Sequence, residues 1–420
     1  MSKTLIKNIK TLYTSIQTPP VKGELMSNIY ELNNAYILIE DKLIVDIGNE
    51  FLGNLDDTFV YDATGLICIP GLIDSHTHLV FGGSREHEFS KKIAGVPYLD
   101  ILKEGGGILN TVKQTKAASH EELYAQAKKS LDEMLLFGVT TLEAKSGYGL
   151  DLDTEVKQLY TLKVLNNLNP IDIKITYLGA HALPSEYKEK RNEFIDKVIK
   201  DLEYIKEKDL AEYTDVFCEK GVFTALETEK IFKRALELGF KLRLHSDEIE
   251  SIGGTTVALN LGANSIDHLM AITDEDIDKL SKTNTIANLL PATSFFLNKD
   301  YAPARKLIDK GAAVSVSSDY NPGSTPSENY QLTLQLAGNK LRMLPKEILT
   351  AATINPAYSL NVSDKVGSLQ VGKFADIVLL DAKNLDYFIY HYGINHTKAV
   401  FKNGKLVVDN RMIIKEEIWN

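Results

Sequence analysis

Cysteine is nearly absent. Cys68 and Cys218 are the only two in 420 residues, too few for a disulfide framework, and no CxxC pair exists to hold zinc or exchange disulfides. A reduced, intracellular setting is therefore expected, and the N-terminus shows no apolar core or small-residue cleavage site of the secretory kind. No stretch of about 18 uninterrupted apolar residues is present to cross a bilayer. Neither GxGxxG nor GxxxxGK[ST] follows any candidate strand, so nucleotide binding has no motif behind it. The run Gly105-Gly106-Gly107 reads as a mobile loop rather than a phosphate cradle. Positive charge is also in deficit: 47 Lys plus Arg face 57 Asp plus Glu, a net charge of −10. That field repels nucleic acid and anionic membrane, so neither is an expected partner and a cytoplasmic location is the natural reading.

What is present is ordinary globular material, 44% hydrophobic and 25% charged, enough for a large barrel with an accessory domain. Both ends read as β-structure. Ala35–Ile39 and Leu43–Ile47 form one hairpin pattern, and Ala399–Phe401 and Leu406–Val408 flank Asn403-Gly404, a strong turn signal. Neither end has strands enough to stand alone. Residues 1–66 and 361–420 are thus expected to combine into one β-sandwich domain around a central unit, 67–360.

In that unit, candidate strands end near His76, Glu143, His181, Glu219, Asp247, His268, Leu290 and Asp319. Helical patterns connect them. Ser119 to Glu122 is a capping box ahead of Leu123, Ala127, Leu131, Met134 and Leu135, stopped by Gly138. Thr224 with Glu227 repeats the plan ahead of Ile231, Phe232, Ala235 and Leu236. Eight β-then-α units predict an α/β fold, a closed (β/α)₈ TIM barrel. An open doubly wound sheet is the alternative.

Barrel chemistry gathers at strand C-termini. Those ends carry His76, His78, His181, His245, His268 and Asp319, and His76 and His78, two apart, share a face. Singly, each is weak: a lone histidine is more often a satisfied core residue, and Asp319 could cap the Asn321-Pro322-Gly323 turn. Together they change the odds. Imidazoles and a carboxylate suit zinc or iron, and such an ion brings the pKa of its water from about 16 to about 7. His87, His120, His391 and His396 are expected in solvent.

The segment Pro70-Gly71-Leu72-Ile73-Asp74-Ser75-His76-Thr77-His78, with His245, His268 and Asp319, resembles the amidohydrolase superfamily, as does Val366–Val378 its terminal β-domain. Phe81–Arg85, Lys145–Leu150, Tyr177–His181, His245–Glu248 and Ser318–Ser324 more narrowly resemble the imidazolonepropionase family, ring-opening hydrolases of histidine degradation. The resemblance implies one Zn2+ or Fe3+ ion per subunit, on His76, His78, His245 and Asp319. It implies imidazolone propionate as substrate, with Arg85, Tyr148, His181, Glu248, Asn321, Gly323 and Ser324 lining its site. Catalytic work would fall to His268, Asp319 and Glu248, and the assembly would be a homodimer. Ser324 stands where the family often has threonine. Glu219 and Lys220 lie where two-metal relatives place a bridging group, a role the family does not imply here. A deaminase of a nitrogen heterocycle, which needs no carboxylate clamp at Arg85, and a noncatalytic small-acid-binding barrel are the competing readings.

Overall fold

The computed structural model describes residues 2–96 and 106–414. The N-terminal segment forms β1 (Lys3–Thr14), β2 (Tyr30–Glu40), β3 (Leu43–Gly48), β4 (Thr58–Asp62) and β5 (Ile67–Pro70). Eight parallel strands follow: β6 (Leu72–Thr77), β7 (Val139–Lys145), β8 (Asp172–Ala180), β9 (Tyr213–Cys218), β10 (Lys241–Ser246), β11 (Ser265–His268), β12 (Ile286–Leu289) and β13 (Ala313–Val316). The C-terminal segment adds β14 (Ile377–Leu380), β15 (Thr397–Lys402), β16 (Lys405–Asp409) and β17 (Met412–Ile413).

The strands from the two ends make one nine-stranded sheet, ordered β17-β16-β15-β14-β5-β1-β2-β3 with β4 beside β1. β5 joins the halves, pairing parallel with β1 and antiparallel with β14. The sheet curls over on itself: Tyr61 of β4 meets Phe401 of β15 edge-on at 5.5 Å and donates its hydroxyl to Asp409 on β16. Ile6, Ile37, Ile39, Leu379 and Phe401 fill the apolar layer between the halves. Asn403 (φ 49°) and Gly404 (φ 78°) both take the left-handed conformation that a tight hairpin turn demands. His396, expected in solvent, is buried in this region, its ring nitrogens against the carbonyls of Asp381 and His391. Phe388 and Tyr387 wall the pocket that shuts water out.

Both capping boxes are formed, Ser119 with Glu122 and Thr224 with Glu227. Every apolar residue read on the 120–136 helix is buried. On the Ala225–Glu237 helix Leu236 is 41% exposed, because it lies in the last turn at the margin of the stripe that Ile231, Phe232 and Ala235 define. Of the glycine run, Gly105 lies outside the described residues, while Gly107 donates its N–H to the buried Glu88 carboxylate at 2.8 Å.

The eight parallel strands close, which excludes the open sheet. At the top of the seam between β6 and β13, Asp319 N–H donates to His76 O (3.1 Å) and His78 N–H to Tyr320 O (2.9 Å). Lower down, side chains fill the seam. The Tyr330 hydroxyl lies 2.9 Å from Ile73 O and 2.6 Å from Val316 O, and Asp74 accepts from Ser318 N–H and hydroxyl. Burial pushes the Asp74 carboxyl up to about 7. Removing the hydroxyl with Tyr330→Phe leaves buried carbonyls short of a donor, and is expected to destabilise the protein by about 1–2 kcal/mol. A lower urea midpoint at unchanged slope is the expected readout; an unchanged midpoint would show that the seam does not depend on this bond.

Candidate active site

Five side chains meet at the mouth formed by the strand C-termini. His76 and His78 leave the end of β6, His245 comes from β10, His268 ends β11, and Asp319 follows β13 by three residues. All are buried. Nε2 of His78 and Nε2 of His245 are 3.4 Å apart, and Asp319 Oδ1 is 3.6 Å from Nε2 of both His76 and His78. Donors each about 2.1 Å from one tetrahedral ion would stand roughly 3.4 Å apart. His76 Nε2 and His268 Nε2 have no hydrogen-bond partner although fully buried. An unpaired buried nitrogen costs about 1–3 kcal/mol, so such a set fits a bound cation better than a bare cavity. The residues fit a metal site.

A second layer aims them. Asp267 Oδ2 hydrogen-bonds His76 Nδ1 at 2.7 Å, and Asp215 Oδ2 makes an ion-pair contact with His245 Nδ1 at 3.0 Å, so each Nε2 faces the mouth. Lys145 Nζ lies 2.8 Å from Glu143 and 2.9 Å from Asp215, all three closed to solvent. Burial holds the His76 and His78 imidazoles well below their ordinary pKa, with the Lys145 charge adding to the effect, so both are neutral as ligation requires. Burial opposes ionisation of Asp215, yet His245 and Lys145 beside it hold its carboxyl well below the usual range. Asp319 Oδ2 accepts from Thr293 (2.6 Å) and Ser324 (3.1 Å), which leaves Oδ1 facing the imidazoles. Burial raises its carboxyl above the ordinary value.

Sequence reasoning passed over Asp215, Asp267, Lys145 and Thr293. One signal existed: Asp215 interrupts the apolar strand Tyr213–Cys218, and a charge inside such a strand needs a buried partner.

Around the mouth, His181 stacks on His78 with ring centroids 5.0 Å apart, donates Nδ1–H to Gly147 O, and stands in one group with His78 and His245. Burial lowers its pKa to about 3. Tyr148 lies 5.3 Å from the His181 ring. The loop that carries it is gripped by Glu155, which accepts from the N–H groups of Gly147, Gly149 and Leu150. Glu248 Oε2 is 3.8 Å from His268 Nε2. Arg85 gives Nε and Nη2 to Glu88, while a Cβ on Gly323 would overlap its Nη1. Only glycine at 323 leaves the guanidinium in place. Arg85 and Gly323 line a cavity of about 480 Å³ with Phe81, Lys92 and Tyr320.

Asn321 uses its amide on its own loop, accepting from the N–H of Gly323 and Ser324 and donating to Asp319 O and the Ser324 hydroxyl. Glu219 and Lys220 belong to none of the histidine–carboxylate groups found among the described residues. Lys220 pairs with Glu250 at the surface.

The model of the amidohydrolase family matches residues 67–407. The imidazolonepropionase of Fusobacterium nucleatum subsp. nucleatum is 51% identical over 409 residues, covering 96% of this chain and 98% of the relative. That of Streptococcus pyogenes serotype M6 is 52% identical over 402 residues, 94% of this chain and 95% of the relative. Among solved structures, a zinc-bound adenosine deaminase from Xanthomonas campestris aligns with a TM-score of 0.71 over 99% of this chain and 95% of its own, at 16% identity. N-isopropylammelide isopropylaminohydrolase from Burkholderia multivorans aligns at 0.72 and 18% identity over 99% and 100%. At such identities the structural likeness speaks for the fold alone. The chain belongs to the amidohydrolase family and, by half-identity along nearly its whole length, to the imidazolonepropionases within it.

Proposed function

We propose that the protein hydrolyses the ring C–N bond of 4-imidazolone-5-propanoate, giving N-formimidoyl-L-glutamate. The observation that carries the reading is the buried group of His76, His78 and Asp319, with His245 Nε2 3.4 Å from His78 Nε2, in a chain half-identical to imidazolonepropionases. Those four residues would hold one Zn2+ or Fe3+ ion per subunit, since imidazole and carboxylate donors suit either. When bound, the ion supplies Lewis acidity for water activation.

The chain's own groups divide the remaining work. Asp319, whose Oδ1 is free of protein hydrogen bonds, takes a proton from the attacking water and passes it to the departing ring nitrogen. His268 donates from Nε2 to the oxygen that becomes negative at the ring carbonyl. Glu248, beside it, accepts the ring N–H and fixes which face of the ring is attacked. Arg85 takes the propionate, with Tyr148 and His181 closing the walls.

Hydrolysis of freshly generated imidazolone propionate, followed by loss of its ultraviolet absorbance, is the direct test. The expected outcome is turnover that disappears on chelation and returns with Zn2+ or Fe3+. A metal-loaded protein that leaves the ring intact would refute the reading.

Arg85→Ala is expected to raise KM and to cost 2 kcal/mol or more, about 30-fold or greater, in kcat/KM. An unchanged kcat/KM would exclude the clamp and favour a substrate without a carboxylate.

His268→Ala is expected to lose about 10²–10³ in kcat while keeping its ion. Turnover, metal content and melting temperature on a single preparation decide the point. Near-normal turnover at full metal would rule out the oxyanion role, and loss of the ion would make His268 a ligand instead.

A further inference from the structure

Glu219 is buried to 1% exposure just past the end of β9, and among the described residues its carboxylate has no salt bridge. Its partners are backbone amides. Oε1 accepts from Lys220 N–H (2.8 Å) and Glu250 N–H (3.1 Å), and Oε2 accepts from Ile249 N–H (2.9 Å). Two of those amides directly follow Glu248. On the other side of Glu248, Asp247 holds a left-handed φ of 55°. Its carbonyl accepts from Ala271 N–H at 2.7 Å. Glu248 is therefore held between the left-handed turn at Asp247 and a pair of gripped amides, 3.8 Å from His268. Ile249, by contrast, is 72% exposed and adds no apolar anchor beside Glu248.

We infer that Glu219 is the positioning residue for Glu248, a buried carboxylate clamp that fixes the loop after β10 against the strand before it. The inference rests on the proposed ring-opening reaction for its kinetic consequence and on geometry alone for the clamp. Commitment of both carboxylate oxygens to amides also gives Glu219 a use other than bridging a second metal.

Glu219→Gln tests it, because the amide is nearly isosteric but presents N–H where an acceptor is needed. Misplacing a reacting group by about 1 Å costs about 10²-fold, so kcat should fall about 10- to 100-fold at full metal content, with the melting temperature lowered only as far as the loss of one buried hydrogen bond requires. In a Glu248→Gln background the same substitution should lower kcat less than about twofold, since its effect runs through Glu248. Equal losses in both backgrounds would overturn the assignment. Hydrogen exchange provides an arm independent of activity: amides 249 and 250 should exchange much faster in Glu219→Gln, with β9 and β10 unchanged. Unchanged exchange there would also overturn it. Ile249→Pro, which deletes one donor N–H and leaves Glu219 in place, should move kcat and the exchange of amide 250 the same way and serves if Glu219→Gln does not fold. If the unsubstituted protein opens no imidazolone ring, the proposed function fails, and the exchange arm still decides the clamp.

Discussion

Lys145 lies sealed beneath the histidines, and the geometry of the mouth depends on it. Its ammonium touches Glu143 and Asp215 and stands 3.9 Å from Asp267. Arg243, equally buried, reaches Asp267 at 3.4 Å and the Ser75 carbonyl at 2.6 Å. Barrel interiors are usually layers of branched apolar side chains, and a charged layer is expensive to bury unless each member is paired. Here two cations face three carboxylates, so the layer keeps an excess of negative charge directly under the imidazoles, to which Asp319 adds. In a medium of low effective dielectric that excess favours a cation at the mouth. The same carboxylates aim the ligand nitrogens, so one arrangement supplies both field and orientation.

Much of this frame was legible in the sequence. Apolar runs located the eight strand ends, and the capping boxes marked the starts of two connecting helices because Ser119 and Thr224 act within four residues. His76, His78, His245, His268 and Asp319 were findable because strand ends expose reactive groups. What escaped depends on contacts far apart in the chain. Tyr330 reaches the carbonyl of Ile73 across 257 positions, and no local pattern announces it. Asp215, Asp267 and Lys145 look like isolated charges until β7, β9 and β11, alternate strands of the barrel, bring them together in its interior. Asn321 reads as a polar residue near substrate, but its amide is spent on the Gly323 and Ser324 backbone. His396 looks like a surface histidine because Phe388 and Tyr387 close over it only after folding.

Strain collects where chemistry is placed. Asp247, His268, Leu269 and Asp319 all hold positive φ, between 55° and 81°, without the freedom of glycine. Such conformations persist only where surroundings over-determine them. Three of the four are tied to a neighbouring strand or the segment after one: Leu269 N–H donates to Ser246 O, Ala271 N–H to Asp247 O, and Asp319 N–H to His76 O. The ties run from β6, β10 and the residue after β10 to the segments that follow β11 and β13. A displacement at one strand end is thus resisted by its neighbours. Polar groups held in place before substrate arrives need no reorganisation when charge develops.

The terminal sheet secures the opposite end. A single residue, Gly71, separates β5 from β6, and its N–H donates to Asp376 O at 2.9 Å. A Cβ at that position would overlap the Thr140 hydroxyl, so only glycine lets β6 lie this close to β7. Lys402, buried in β15, bonds Asp376 at 2.6 Å and Asp172, the first residue of β8, at 2.7 Å. These contacts fall at the strand N-termini, away from the mouth, where barrels invest in stability rather than catalysis. The strand that carries His76 and His78 therefore enters the barrel already fixed by a sheet built from both ends of the chain. Its two imidazoles inherit a position that the mouth loops alone could not set.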